Sequence, residues 1–305
     1  MNYLVTGVTG FIGGAIALEL ISRGHSIRAL VRPRNEHIRM PHPELGHVNP
    51  YSLGIEVIEG DILDRASLVK AVNGVDGIFH AAALYAFWAI RKKDLYDINV
   101  GGTELLLNEA RAAGVRRVVF TSSSGVLRSP GKGRIADESF HENVQNLPDH
   151  YHRSKLLAEW KALEANGHGL EVVVVNPTTP VGPGDIKPTP TGRIVLEFLR
   201  RRVPAYIETS INLVDIKDVV AGHIAAFEAG SSGERYILGG ENTTLSKVFT
   251  TLSRVTGLRR KPIRVPYSVA LATAWVDEAI EGGLLRRSPF IPMGAIRAIR
   301  HPMHV

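Results

Sequence analysis

Tyr151 and Lys155 stand four residues apart in the run YHRSK, a spacing that can move a proton. On an α-helix, residues i and i+4 share a face. A free tyrosine hydroxyl titrates near ~10 and is a poor base at neutrality. A cation about 4 Å away, at an effective dielectric near 20, favours the phenolate by roughly 4 kcal/mol. Lys155 is therefore expected to pull Tyr151 down by roughly 3 pH units, before desolvation returns part of that. Alone the spacing means little. Here Thr121-Ser122-Ser123-Ser124 precedes it by about thirty residues, and the chain opens with GVTGFIG. The three pieces, in that order, suit the transfer of a hydride together with a proton.

The opening piece supplies the hydride carrier. Gly7, Gly10 and Gly13 follow a strand-like NYLVT and begin a helical pattern. Gly7 permits a tight turn, Gly10 lets a pyrophosphate approach the backbone, and Gly13 lets helix and strand pack closely. The helix N-terminus adds unpaired N–H groups and a positive dipole end. In such folds an acidic residue at the end of the second strand holds a free ribose 2′-hydroxyl. Here that position is Arg32, which can pair with a 2′-phosphate through two N–H groups, so NADP is expected, with NAD as the alternative. Glu36, in the following loop, can still serve a ribose. Asp61, in EGDIL, can accept from the adenine amino group or cap the next helix.

Apolar, β-branched runs at 2–6, 26–31, 55–59, 76–80, 117–122 and 171–176 read as strands. Helical patterns occupy 11–23, 64–73, 95–113 and 151–166. Alternation of this kind predicts an α/β fold, a Rossmann-type doubly wound parallel sheet with helices on both faces. Residues 33–54 read as a long loop. The dinucleotide-binding domain is expected over 1–176, with a smaller substrate region over 177–305 packed beside the sheet. The chain has 305 residues, 44% apolar and 22% charged, enough to bury a large core. It has no cysteine, which excludes disulfides and thiolate metal sites and leans toward a reducing cytoplasm. No signal peptide is expected before a strand that starts at residue 2, and no apolar run is long enough to span a bilayer. The net charge of +6 comes from scattered clusters such as 200–202 and 259–261, without interleaved aromatics. They read as solvated faces, not as a nucleic-acid surface. The twelve histidines show no metal spacing, and His80 reads as a satisfied strand-end residue.

GVTGFIG, EGDIL, HAAA, DINVGGT, FTSSS, YHRSK and NPTTPVGPGD together resemble the extended short-chain dehydrogenase/reductase family. Within it the chain resembles the dihydroflavonol 4-reductase-like branch, above all the hopanoid-associated sugar epimerases, which suggests a bacterial source. The resemblance implies Tyr151 as the acid/base, Lys155 as its electrostatic partner and a ribose ligand, and Ser123 as the holder of the substrate oxygen. Ser124 is an alternative for that last role. It implies cofactor contacts at Gly7, Thr9, Gly10, Phe11, Ile12, Gly13, Arg32, Asp61, Ile62, Ala81, Ala82, Ala83, Pro177 and Thr179. Asn99 would support the site from the fourth helix. Many relatives are dimers through helices 95–113 and 151–166, and the resemblance allows, without requiring, a homodimer with a four-helix contact here.

On the substrate side, Tyr85, Trp88 and Tyr96 can wall a pocket beside the nicotinamide. Lys187 and Arg193 can hold an anionic group, or serve only solubility. Three functions compete. One is an NADP-dependent oxidoreductase acting on a carbonyl or alcohol carbon. Another is a sugar or sugar-nucleotide epimerase that keeps its cofactor, in hopanoid synthesis. The third is a non-catalytic NADP sensor, against which the intact Ser123, Tyr151 and Lys155 argue.

Overall fold

Runs such as Val172–Val175 show water no polar face, so they are stable only when covered on both sides. The computed structural model describes residues 1–33, 39–127, 137–258 and 262–299. In chain order the first elements are β1 (Asn2–Thr6), α1 (Phe11–Ser22), β2 (Ser26–Val31), β3 (Met40–His42), β4 (Gly46–Val48), β5 (Glu56–Glu59) and α2 (Arg65–Val72). Next come β6 (Gly77–His80), α3 (Lys92–Tyr96), α4 (Gly102–Ala112), β7 (Arg117–Thr121), α5 (His150–Glu164) and β8 (Glu171–Pro177). The remainder holds β9 (Thr179–Val181), α6 (Pro190–Leu199), β10 (Ala205–Tyr206), β11 (Ser210–Asp215), α7 (Ile216–Ala229) and β12 (Arg235–Leu238). It ends with β13 (Glu241–Thr244), α8 (Leu245–Thr256), β14 (Ile263–Arg264), α9 (Tyr267–Asp277) and α10 (Met293–Ile299).

Seven strands form one parallel sheet in the order β12-β8-β7-β6-β1-β2-β5. The strand period of two sends neighbours to opposite faces. Val5, Phe79, Val119 and Val173 therefore face α1 and α7, while Leu4, Ile78, Val118 and Val172 face α2, α4 and α5. Each such fully buried side chain contributes roughly 1.5–3 kcal/mol. Strand order reverses between β1 and β6, and the crevice at the strands' carboxyl ends beside such a switch point is where α/β sheets bind ligands. The sheet takes its seventh strand, β12, and the covering helix α7 from beyond residue 176. Smaller sheets, β13-β11-β9 and β10-β14, complete that later part of the chain.

Two elements differ from expectation. Residues 33–54 are not simply a loop: β3 and β4 pair as an antiparallel hairpin, followed by a 3₁₀ turn at Pro50–Leu53. The apolar Met40 is fully buried, and the Pro41 ring packs close to Gly14 of α1, which is what orders the hairpin. Glu36 and the cluster 259–261 lie outside the described residues. The helix expected over 95–113 is broken by a π-helical turn, Asp97–Gly101, between α3 and α4. Such turns mark places where a helix is adapted to a site, and this one carries Asn99. Among the described residues no helix is long and apolar enough to cross a membrane.

Candidate active site

The turn between β1 and α1 is shaped by missing side chains. Gly7 has φ +79°, and a Cβ there would meet Ala82 N at 2.8 Å and Ala81 O at 2.9 Å. A Cβ on Gly13 would lie 2.4 Å from Gly7 O. Gly10 is exposed and caps α1 without any side-chain hydrogen bond, and no acidic residue stands in the helix's first turn. This is a helix N-terminus left open toward an anion. The other expected cofactor residues border the same edge of the sheet. Arg32 is exposed just past β2, Asp61 and Ile62 follow β5, and Ala81–Ala83 follow β6. Pro177 ends β8 and Thr179 begins β9. Thr179 Oγ1 and Ser122 Oγ are buried with no hydrogen-bond partner among the described residues, which suits a polar ligand at this edge. A nicotinamide dinucleotide fits these groups. Asp61 Oδ1 accepts from Leu63 N at 2.9 Å, while the capping of α2 falls to Asp64.

Under the turn runs a buried polar chain. Thr6 Oγ1 contacts His80 Nδ1 at 2.7 Å and accepts from Ala82 N at 3.1 Å. His80 Nε2 contacts Thr103 Oγ1 at 2.9 Å, and Thr103 donates to Asn99 O. His80 is thus a satisfied strand-end residue, held neutral down to about 3 first by burial and then by the charge of Lys155. Asn99 bonds both backbone groups of Leu84 and the Ser154 hydroxyl, so it ties the loop after β6 directly to α5.

Asp149 caps α5, its Oδ1 accepting from His152 N at 2.9 Å, and this sets Tyr151 in the helix's first turn. The Tyr151 hydroxyl hydrogen-bonds Ser123, half-buried at the end of β7. Lys155 sits one turn on, but its Nζ reaches down to the sheet, donating to Thr121 O at 2.6 Å and lying 4.6 Å from the Phe120 ring centre. The expected fall in the Tyr151 pKa is therefore replaced by a rise. Burial pushes it well above 10, the Tyr85 hydroxyl and the Asp149 carboxylate add to the rise, and only the Ser123 hydrogen bond opposes it. Burial lowers Lys155 to about 8, partly offset by Glu159.

Behind these groups stands an ion pair sealed from water. Arg235 of β12 donates to Glu159 Oε1 at 2.9 Å, and the two side chains are 6% and 0% exposed. Glu159 Oε2 accepts from Asn176 Nδ2, which also donates to Ser123 O at 3.2 Å. The second Arg235 nitrogen bonds the carbonyls of Glu138 and Phe140.

The expected substrate wall comes together only in part. Tyr85 lies against Tyr151 with ring centres 4.7 Å apart. Trp88 packs instead near Gly282, and the Tyr96 hydroxyl is engaged by His150 at 2.8 Å. Ser124 is buried behind Ser123, and Lys187 and Arg193 are exposed. Phe87 completes the aromatic wall at 6.0 Å from Tyr151, and His152 lies 5.2 Å from it. Neither was evident from spacing. An aromatic beside a tyrosine and a histidine after it are ordinary in sequence, and only the fold brings Phe87 and His152 together.

Known proteins place this geometry in a family. The NAD dependent epimerase/dehydratase family pattern matches residues 3–239. A candidate dihydroflavonol 4-reductase of Synechocystis is 41% identical over 306 aligned positions, covering 99% of this chain and 86% of its own. Sterol demethylase protein B of Methylococcus capsulatus is 32% identical, covering 98% and 88%. The crystal structure of gox2253 superposes with a TM-score of 0.82 at 36% identity, covering 99% of this chain and 88% of that one. This chain belongs to the NAD dependent epimerase/dehydratase family, within the extended short-chain dehydrogenases/reductases, and is an NAD(P)-dependent enzyme.

Proposed function

We propose that this chain is an NADPH-dependent carbonyl reductase in which Tyr151 protonates the substrate oxygen. The observation that carries the reading is the joined pair of Ser123 and Tyr151 hydroxyls, with the tyrosine held in its acid form. Reduction of a ketone needs a proton donor at neutrality, and a phenol kept well above 10 is one. When bound, the dinucleotide supplies the hydride. Ser123 holds the carbonyl oxygen as charge develops on it. Lys155 carries a nearby positive charge and holds the nicotinamide ribose. The glycine turn and the start of α1 take the pyrophosphate. Arg32, which has no ion-pair partner among the described residues, takes a 2′-phosphate, so NADPH should serve better than NADH.

The test is a panel of ketones and aldehydes followed by loss of NADPH absorbance. Wild-type protein should consume NADPH in step with alcohol formed. Tyr151→Phe should lower kcat by about 10²–10⁴ while NADPH still binds. Sugar isomerisation without net NADPH loss would replace the reductase by an epimerase. NADPH binding with no turnover of any kind would leave a sensor.

A further inference from the structure

The surplus of positive charge is not spread evenly along the chain. Residues 245–305 carry ten lysines and arginines against three acidic residues, while residues 1–244 carry 26 against 27. The whole net charge of +6 therefore belongs to the last fifth of the sequence. Half of the large apolar side chains exposed among the described residues lie there too. Charge asymmetry joined to exposed apolar surface points to a large anionic partner.

The apolar part centres on α9. No charged residue stands between Arg264 and Asp277. Ala270 and Ala274 turn inward and pack with Ile296. Val269 and Val276, two turns apart on one face, are exposed, and Trp275 is 65% exposed. A helix that is apolar on every side is normally covered on every side. The π-helical turn Glu278–Leu284 extends the exposed surface with Ile280 and with Leu284, which is 79% exposed. Asp277 Oδ2 accepts from Ile291 N at 2.7 Å, and Glu278 Oε2 accepts from Met293 N at 2.9 Å. These bonds occupy two of the three acids and bring the exposed Phe290 back beside the end of α9. Arg264 precedes α9, Arg286 and Arg287 follow Leu285, and all three are exposed.

The chemistry selects the occupant. A second copy of the chain would set these arginines against one another. A nucleic acid would stack on aromatic rings, and most of these side chains are aliphatic. An anionic bilayer satisfies both parts. Its acyl boundary takes the aliphatic groups, its headgroup level suits tryptophan, and its phosphates pair with guanidinium groups.

We propose that α9 and the turn after it are a docking face for an anionic lipid bilayer, with Val269, Trp275, Val276, Ile280 and Leu284 entering the headgroup boundary and Arg264, Arg286 and Arg287 holding lipid phosphates. The docked segment also backs the aromatic wall of the site. A Cβ on Gly282 would lie 3.0 Å from Trp88 Nε1, and one on Gly294 would lie 2.7 Å from Phe87 O. The proposal concerns binding and stands apart from the reaction.

The test sediments the full chain with vesicles of phosphatidylcholine, alone or with about 30% phosphatidylglycerol. Wild-type protein should pellet with the anionic vesicles and stay in solution with the neutral ones, and binding should weaken as salt rises. Arg286→Glu with Arg287→Glu should lower the partition coefficient at least about 25-fold, from about fivefold per arginine lost. Val276→Glu with Leu284→Glu should lower it at least about tenfold, since two apolar groups no longer enter the boundary. Unchanged urea midpoints would show that both variants fold. Trp275 emission should shift to the blue on anionic vesicles, and Trp275→Phe should remove that shift. Wild-type protein left in the supernatant overturns the proposal. So does vesicle binding that Val276→Glu with Leu284→Glu leaves unchanged, which is charge attraction alone. Self-association lost in that variant, without vesicle binding, makes the face a contact between copies and overturns it as well.

Discussion

The two halves of the site are made by opposite means. The glycine-turn half is backbone: Gly7, Gly10 and Gly13 work by having no side chain, and their neighbours are main-chain atoms, of Ala81 and Ala82 for Gly7 and of Gly7 itself for Gly10 and Gly13. The Tyr151 half is side chain: Ser123 from the end of β7, Tyr151 and Lys155 from α5, Tyr85 and Phe87 from the loop after β6, and Arg235 from β12. The first is local and leaves no room for a side chain at Gly7 or Gly13. The second is assembled across more than a hundred residues of chain and depends on buried polar groups that satisfy one another. A local device fails by collision, and an assembled one by losing a partner.

Losing a partner should cost most. Arg235→Leu leaves the Glu159 carboxylate buried without its cation and the Glu138 and Phe140 carbonyls without a donor. About 3–5 kcal/mol of stability should go, read as a fall in the urea midpoint. Adding Glu159→Leu to that variant should recover part of the loss, because no uncompensated charge then remains. Below the new unfolding temperature, NADPH should still bind while turnover drops, since Asn176 no longer fixes Ser123. If NADPH binding and turnover fall together, the halves are not separable.

Collision comes next. Gly13→Ala places a methyl group 2.4 Å from Gly7 O and 2.6 Å from Gly7 C, atoms of a turn with no slack. The expected loss is about 3 kcal/mol, the upper end for overpacking. NADPH affinity should fall with it, seen in a fluorescence titration, because the same turn would take the phosphates. An alanine accepted without loss would show that α1 can slide on β1.

Acid should strike both halves more gently. His80 supports Thr6 beneath the glycine turn, and His223 Nε2 contacts Thr121 Oγ1 at 2.9 Å beneath Lys155. Burial lowers these rings to about 3 and about 4, respectively. In the unfolded chain both take a proton near ~6.5. Stability is then full above that value and drains as pH falls toward 4, since the unfolded state binds the extra protons. At pH 5 the loss is about 2 kcal/mol for each ring. Urea midpoints at pH 7.5 and 5 test this, and a flat profile would mean that water or an anionic partner stabilises the protonated rings.

Much of this was legible in the residues. The parallel sheet follows from strand runs without a polar face, and the glycine turn from spacing tied to local geometry, while Ser123, Tyr151 and Lys155 are pointed to by the family resemblance. Spacing also placed Tyr151 and Lys155 on one helical face. It could not say that the lysine reaches down to Thr121 and leaves the tyrosine to burial and Asp149. The π turn at Asn99, the buried hairpin around Met40 and the Asp149–His152 pair were likewise invisible. Each depends on which distant surface packs against it.

Periodicity and missing side chains thus determined the sheet and the turn, because these depend on residues adjacent in sequence or one helical turn apart. The fold alone decided the protonation of Tyr151, the anchoring of Ser123 through Asn176, Glu159 and Arg235, and the contact of His152 with Asp149. Desolvation and partner geometry are properties of what surrounds an atom, and in this chain those surroundings come from segments as far apart as residues 80 and 235.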